Sequence, residues 1–291
     1  MIARKRDTPL IVFAALSLAA IIIFNLVPFL FLVLGSFLPD LNTDRGIEFD
    51  SLNPHVWTLA SYRQLQGGML DKFVHYLGNT LIIGVATTAT VLILSVLGAF
   101  GLSRYRFRGR NFLKYSSIWG YLFPPVVLVF PYASLLRGLC LLGSPLCSDG
   151  GYGGLTLANC AFCLPFGLWL MIQYFCAVPQ EFDKAAAADG ANWYQALWYV
   201  LIPRALPGIA AVGMFTFILS WNDVVLSAVL VKADHRTIAA GVKESIFDTD
   251  QRSYSTFAAA SLWVAMLAAL LFGLIQAGVD RIMRAEAEVQ S

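Results

Sequence analysis

Six long stretches that are almost free of charged residues constrain this 291-residue sequence more than any other feature. They are 22 to 32 residues long and cover residues 8–39, 76–103, 115–136, 150–180, 205–231 and 253–279. A helix of about 20 mostly apolar residues crosses a hydrocarbon core of about 30 Å. A transmembrane β-barrel would instead show segments of about ten residues that alternate in polarity. The sequence therefore predicts an all-α, polytopic membrane protein with six transmembrane helices.

The low charge content excludes several other classes of protein. Charged residues make up 13% of the chain and hydrophobic residues 58%, whereas soluble domains carry roughly 25% charge. This balance excludes an ordinary cytosolic enzyme, a nucleic-acid-binding protein and a disordered protein. The first apolar stretch follows Arg4, Lys5 and Arg6, but it is too long for a cleaved signal peptide and lacks a clear cleavage site.

The distribution of Lys and Arg predicts the orientation of the chain. With the N-terminus inside, the inner segments carry 12 of these residues and the outer segments carry 8, mostly in longer loops. The densest cluster lies between Arg104 and Lys114 on a short loop, where positive charge marks the cytoplasmic side most strongly. We therefore expect both termini in the cytoplasm.

The sequence shows no motif with which the chain itself would bind a nucleotide or a metal ion. It lacks the phosphate-binding G-x-x-x-x-G-K-[ST] loop and any row of intramembrane acidic, basic or His residues that would relay protons. His55, His75 and His235 lie far apart and do not have the spacing of metal ligands. We therefore expect no cofactor, no metal site and no catalytic centre on this chain.

The cysteines fall into two groups. Cys160 and Cys163 form a C-x-x-C inside the fourth apolar stretch, where we expect cysteine to act as a small hydrophobic residue rather than in redox chemistry. Cys140 and Cys147 fall together on a predicted outer loop, which a disulfide would close if that side is oxidising. Two free thiols are the alternative, and mass spectrometry with and without reductant distinguishes the two.

A short helix is predicted after the fourth apolar stretch. Pro179 suits a helix start, and Glu181 and Asp183 lie in the first turn, where they complement the helix dipole. The run Ala185–Ala188 consists of strong helix formers with small side chains.

A sharp turn and a second helix are predicted to follow. Gly190 can end the first helix in a left-handed conformation. Asn192 then caps the second helix, and Gln195 three residues later completes the capping box. We expect Pro203 to end this second helix.

One face of the first helix has the composition of a docking surface. Phe182, Ala185, Ala186 and Asp189 fall on one stripe at helical spacing, so that small side chains surround one aromatic ring. Such a stripe allows another protein to approach closely; an ordinary connecting loop is the alternative.

Residues 179–203 resemble the EAA loop of binding-protein-dependent ABC importer permeases. The pattern of that loop is E-A-A, three residues, G, nine residues, then I-x-L-P. The chain has Ala185-Ala186, three residues, Gly190, nine residues, then Val200–Pro203, without a gap. The flanking Pro179, Glu181, Asp189 and Ala191 agree with the sugar-permease version of the pattern. The Glu that opens the pattern is Lys184 here, so that Glu181 or Asp183 would have to supply an acidic contact.

The resemblance implies a mechanical role for this loop. In the family, the EAA loop docks into a groove of the ATP-binding subunit and transmits its closure to the membrane helices. The implied ATPase-coupling residues are Glu181, Phe182, Asp183, Ala185, Ala186, Asp189, Gly190 and Pro203. The implied fold is that of a type I ABC importer permease with a MetI-like core, in the cytoplasmic (inner) membrane of a bacterium or archaeon.

The resemblance extends from about Thr58 to Gln276 and is of the MalG type. Trp221–Asp223 and Arg236–Gly241 are similar to the MalG-type rather than the MalF-type permease of carbohydrate importers. We expect three parts. Residues 1–75 form an N-terminal helix and outer segment, residues 76–282 form a five-helix core that contains the coupling loop at 179–203, and residues 283–291 form a cytoplasmic tail.

Two features inside the apolar stretches are candidates for the translocation pathway or its gate. Asp223 is the one charged residue inside a stretch, at a cost on the order of 3 kcal/mol unless it faces water or a partner. Trp221, Asn222 and Asp223 therefore lie near the pathway, or Asp223 only pairs with a neighbouring helix to hold the bundle together. Pro124 and Pro125 must kink or unwind the third helix, either as a hinge for alternating access or for packing alone.

The resemblance implies a permease subunit of an ATP-driven ABC importer for a carbohydrate. A di- or oligosaccharide is the expected substrate, and a polyol, a sugar phosphate or a uronate-containing substrate is the alternative. The resemblance implies four kinds of partner: a second permease of the MalF type, a dimer of ATP-binding subunits that binds ATP and Mg²⁺, an extracytoplasmic solute-binding protein, and membrane lipid. We expect no nucleic acid as a partner. The alternative is a self-sufficient secondary transporter or membrane-embedded enzyme, which gradient-driven uptake by the chain alone would reveal.

Overall fold

A computed structural model describes residues 8–39, 57–66, 70–141, 152–247 and 254–290. These ranges are helical and contain no β-strand. The helices are α1 (Thr8–Ser36), α2 (Ala60–Gln64), α3 (Leu70–Arg104), α4 (Arg110–Tyr121), α5 (Pro125–Leu141), α6 (Tyr152–Ala177), α7 (Glu181–Ala188), α8 (Trp193–Arg204), α9 (Leu206–Trp221), α10 (Val225–Leu230), α11 (Ile238–Phe247) and α12 (Tyr254–Gln290).

The number of spans agrees with the prediction from the sequence. Within the described ranges, α1, α3, α6 and α12 are each long and apolar enough to cross a membrane. Two bent pairs, α4 with α5 and α8 with α9, bring the total to six if each pair counts as one span. The predicted all-α, polytopic fold is confirmed.

The third span is broken at its prolines, as predicted. Helices α4 and α5 meet at an angle of 102°. Pro124 lies in the break and Pro125 is the first residue of α5, where a missing backbone N–H breaks no helical hydrogen bond.

The fifth apolar stretch differs from the prediction, because residues 205–231 do not form one helix. Helix α9 ends at Trp221, and the short α10 begins at Val225. The polar side chains in between make local bonds: Asn222 Nδ2 donates to the Ile218 carbonyl at 3.0 Å, and Asp223 Oδ1 accepts from Leu226 N at 3.0 Å. Side chains of this kind compete with the helical ladder and favour a break.

The expected helix end at Pro203 is also wrong. Helix α8 widens into a π-helical turn over Ala196–Leu201 and continues through Pro203 to Arg204. The break follows at Ala205, and α8 lies at 77° to α9. Pro203 is tolerated because it stands in the first turn of the short α-helical segment that follows the π-turn, where its missing N–H is not needed.

The described residues fall into two compact units, those within 1–71 and 242–267 and those within 72–241 and 268–291. In the first unit, Tyr62 donates a hydrogen bond to Ser36 Oγ at 2.9 Å, and the rings of Phe37 and Tyr62 lie 5.5 Å apart.

The second unit has its core between α3, α6, α8 and α9. Val91, Phe175, Leu201 and Val212 are among its fully buried side chains. Gly167 allows α6 to approach closely, because a Cβ there would lie 3.1 Å from the side chains of both Val91 and Val212. We call the end of this unit where α3 ends, α6 ends and α9 begins the basic end.

Candidate coupling site

The segment that resembles the EAA loop forms an exposed helix at the basic end. Helix α7 begins two residues after Pro179, and none of its residues is buried. Glu181 and Asp183 stand in its first turn, as predicted. The location and the start of this helix are thus confirmed.

The turn after α7 has the predicted backbone geometry. Gly190 has a φ of +83°, in the left-handed region. Asn192 Oδ1 accepts a hydrogen bond from Gln195 N, and Asn192 N donates to Gln195 Oε1, each at 2.9 Å. This capping box fixes the start of α8, so the two helices are joined by a defined corner rather than a loose connection.

An ion pair that the sequence did not reveal connects α7 to the end of α3. Arg104 Nε lies 2.7 Å from Asp183 Oδ2, and the side chain of Arg104 is only 9% exposed. Arg104 Nη2 also donates to the Val178 carbonyl at 3.1 Å. One guanidinium therefore joins the last residue of α3, the residue after α6 and the first turn of α7.

The ion pair is partly buried and lies beside a cavity. Burial raises the pKa of the Asp183 carboxyl above its ordinary value, although the charge of Arg104 lowers that pKa. A cavity of about 340 Å³ lies beside the pair, lined by Phe100, Lys184, Asn192 and Trp193 among others.

A second contact fixes the aromatic ring of α7. The Arg204 guanidinium carbon lies 4.1 Å from the centre of the Phe182 ring, a cation–π contact between α8 and α7. Arg204 Nη1 also donates to the Val200 carbonyl at 3.0 Å.

The residues that the sequence assigned to docking lie on accessible surface. Phe182 is 42% exposed. Ala185, Asp189 and Gly190 are exposed and Ala186 is half-buried. Lys184, which replaces the family's Glu, is exposed as well. Pro203 stands at the far end of α8, next to Arg204, whose guanidinium contacts the Phe182 ring.

The candidate gate residues fall at two separate helix breaks. Pro124 and Pro125 lie between α4 and α5; Trp221 ends α9, and Asn222 and Asp223 follow it. Trp221 is buried, whereas Asn222 is exposed. The Asp223 carbonyl accepts from Thr237 Oγ1 at 2.8 Å, in addition to the bond from Leu226 N to its carboxylate. The carboxylate of Asp223 thus bonds locally within the helix break, and its carbonyl connects the break to Thr237.

A polar network that the sequence did not reveal lies at the opposite end of the second unit. Asn79 Nδ2 donates to the carbonyls of Asp234 and Arg236 at 2.9 and 3.1 Å, and Tyr152 donates to Asn79 Oδ1 at 2.6 Å. His75 Nε2 lies 2.7 Å from the Asp234 carbonyl. These bonds fix the connection between α10 and α11 against α3 and α6.

Two further expectations concern cysteines and metals. Cys160 and Cys163 are buried free thiols, as expected of small hydrophobic residues. The alternatives for Cys140 and Cys147 lie outside the described side chains. Within the described part of the chain, no group of three or more His, Cys, Asp or Glu side chains could hold a metal ion.

Comparisons with known proteins place the fold and the loop in context. The chain is 28% identical to the inner membrane ABC transporter permease protein YcjP of Escherichia coli, in an alignment that covers 88% of this chain and 89% of that protein. It is 29% identical to the trehalose/maltose transport system permease protein MalG of Thermococcus litoralis, covering 80% of this chain and 79% of that one. A chain of a bacterial ABC transporter involved in import of the polysaccharide alginate has the same fold, with a TM-score of 0.74 at 23% identity over 95% of this chain and 98% of that one.

A family model covers most of the core, including the coupling loop. The model described as "Binding-protein-dependent transport system inner membrane component" matches residues 92–285. The chain therefore belongs to the family of binding-protein-dependent transport system inner membrane components, the permease subunits of ABC transporters.

Proposed function

We propose that the chain is the permease subunit of an ATP-driven importer that carries a carbohydrate into the cytoplasm, coupled through residues 179–203 to a separate ATPase. The observation that carries this proposal is the exposed α7 with its fixed corner to α8. A surface that transmits force must be accessible to its partner and rigidly joined to the helices that it moves. Both conditions hold: α7 has no buried residue, while Arg104 and the capping box connect it to the bundle.

The partners follow from this role. Permeases of this family do not hydrolyse ATP themselves, and we infer that ATP and Mg²⁺ are bound by a dimer of ATP-binding subunits. A second permease of the MalF type and an extracytoplasmic solute-binding protein would complete the importer. A di- or oligosaccharide is the proposed substrate, because the Thermococcus relative is named for trehalose and maltose.

The basic end would face the cytoplasm of a bacterial or archaeal cell, with both termini on that side. The positive-inside rule supports this orientation, because Arg104, Arg106, Arg108, Arg110 and Lys114 all lie at or next to the basic end. The same orientation would bring α7 to the side where ATP is available.

The two helix breaks would supply the bending that alternating access requires. Both lie within predicted spans, at Pro124–Pro125 and at Asn222–Asp223. We infer that they act as hinges or as parts of the gate, in keeping with the broken helices that are common in transporters.

The proposal is tested with the complete importer in vesicles. The full complex should take up radiolabelled trehalose or maltose only with ATP inside and binding protein outside. Ala185→Arg, on the exposed surface of α7, should prevent co-purification of the ATPase and stop ATP-driven uptake, because a long charged side chain blocks close approach.

Ala185→Ser is the matched control, since it adds one hydroxyl and should leave docking intact. Gradient-driven uptake by the chain without any ATPase would contradict the proposal and favour a secondary transporter. If the ATPase still co-purified normally with the Ala185→Arg variant, α7 would not be part of the docking surface.

A further inference from the structure

Helix α8 carries an unusual exposed face that contains none of the residues assigned to ATPase docking. Trp193, Tyr194, Trp198 and Tyr199 are 58%, 53%, 54% and 73% exposed. The rings of Tyr194 and Trp198 are stacked, with their centres 6.2 Å apart and an angle of 12° between the planes. A helix that faced only water would carry polar side chains at these positions.

The buried side of the same helix fixes its depth in the membrane. Leu197 and Leu201 belong to the core that the spanning helices form. The Trp193 ring lies 6.3 Å from that of Phe100, which is inside the apolar stretch of α3. Helix α8 is therefore at the level where the apolar part of the bundle ends, not beyond it in the aqueous phase.

The direction of α8 fits a position in the membrane surface. The helix lies at 77° to α9 and joins it through a single residue, Ala205. Of this bent pair, α9 is the part inside the fifth apolar stretch and is therefore the part that crosses the membrane. A helix nearly perpendicular to a spanning helix runs nearly parallel to the membrane plane. Its exposed aromatic face then meets the lipid headgroups at the basic end.

The chemistry of this face matches the headgroup region. Trp and Tyr combine an apolar ring with a polar N–H or O–H group, and they concentrate where hydrocarbon meets headgroups. Helix α7, by contrast, presents Glu181 and Lys184, is followed by the exposed Asp189, and contains no Trp or Tyr.

We propose that α8 is an interfacial membrane anchor, with Tyr194, Trp198 and Tyr199 seated among the lipid headgroups of the leaflet at the basic end. Lipid, rather than a groove of a partner protein, is the occupant that this face fits, because Trp and Tyr concentrate where hydrocarbon meets headgroups and α8 packs at the end of the apolar core. The anchor holds the corner between α7 and α8 at a fixed depth. It goes beyond the proposed coupling function and does not depend on it.

Spin-label depth measurements on the full chain in vesicles of 7:3 phosphatidylcholine and phosphatidylglycerol test this anchor. The five native cysteines are replaced, and one cysteine is introduced as Tyr199→Cys, Lys184→Cys or Val126→Cys. Val126 is exposed at the start of the apolar α5 and reports hydrocarbon; Lys184 on α7 reports water. The ratio of collision rates with oxygen and with a water-soluble nickel chelate should be several-fold higher at position 199 than at 184, and lower than at 126.

An equal ratio at positions 199 and 184 would overturn the anchor. So would strong immobilisation of the 199 label on addition of the ATPase, because the face would then belong to a protein interface. Native cysteines need not be removed in a second measurement, which compares the wild type with Trp198→Phe: the fluorescence that this substitution removes should be quenched by lipid brominated at carbons 6 and 7. If that fluorescence were not quenched by the brominated lipid, the proposal would be contradicted even if the cysteine variants fail to fold.

Discussion

Arg104 connects three elements, and its two contacts differ in what they contribute to stability. Its bond to the Val178 carbonyl satisfies a backbone acceptor, whereas its pairing with Asp183 only partly offsets the burial of a carboxylate. Because the pKa of Asp183 is raised in the folded chain, its contribution to stability is complete below the unfolded pKa and is lost as pH rises through the folded pKa. At neutral pH the charge on Asp183 is therefore a net cost.

This asymmetry predicts different results for the two partners. Asp183→Asn should lower the thermal stability of the purified complex at pH 7 by less than Arg104→Ala does, because the amide oxygen still accepts from the buried guanidinium while the cost of burying the carboxylate charge is removed. Arg104→Ala should lower stability by about 1–3 kcal/mol, because it leaves a buried carboxylate without its cation. Thermal unfolding at matched protein concentration measures both.

The double variant completes a double-mutant cycle, and a substitution on the surface serves as the control. Adding Asp183→Asn to Arg104→Ala should recover part of the loss, because no unpaired charge then remains. Arg108→Ala, at an exposed position two residues before Arg110, should change stability by less than about 0.5 kcal/mol. A larger loss for Asp183→Asn than for Arg104→Ala would show that the ion pair is a net stabilising contact.

The contacts of a residue could be predicted from the sequence where both partners are close together in the chain. Asn192 and Gln195 are three positions apart, and their capping box formed as predicted. Arg104 and Asp183 lie on different elements, and their pairing depends on how α3 and α6 end side by side. The sequence predicted the acidic first turn of α7 but not the cation that faces it.

At the scale of elements, the corner between α7 and α8 depends on one backbone conformation. Gly190 has a φ of +83°, which costs an alanine about 1 kcal/mol or more. No heavy atom lies within 4 Å of a Cβ placed there, so a substitution acts through the backbone alone.

Gly190→Ala should therefore reorient α7 and reduce ATP-driven uptake several-fold while the chain still inserts into the membrane. Gly190→Asn should be milder, because Asn tolerates the left-handed region. Gly109 is a matched control: its φ is +90° and the space around it is equally open, but it lies outside the coupling loop. If Gly109→Ala reduced uptake equally, backbone strain in general, and not the corner between α7 and α8, would explain the loss.

The helices also show which features the length of an apolar stretch does not predict. Long apolar stretches predict spans because the thickness of the hydrocarbon core is fixed. Length alone did not reveal that residues 205–231 break after Trp221, because Asn222 and Asp223 satisfy backbone groups locally. The π-helical turn before Pro203 was missed for a related reason: it depends on the packing of Leu197 and Leu201 into the core.

At the scale of the molecule, charge and geometry define two ends of the second unit. Asn79 is bonded to the connection between α10 and α11, and Arg104 is bonded to the coupling loop. Both residues lie on α3, and the 1.5 Å rise per residue separates them by about 38 Å. That distance exceeds the hydrocarbon thickness of about 30 Å, so we expect the two sets of contacts on opposite sides of a membrane.

The orientation of these ends is the last prediction. Arg108 and Lys232 are exposed and lie at the basic end and the opposite end. In a cysteine-free chain, a membrane-impermeant maleimide should label Lys232→Cys in cells whose outer membrane is permeabilised, and label Arg108→Cys only in inside-out vesicles. Labelling after detergent solubilisation controls for the reactivity of each thiol. The reverse pattern would place α7 outside, away from ATP, and would contradict the proposed coupling, whereas the interfacial depth of α8 would be unaffected.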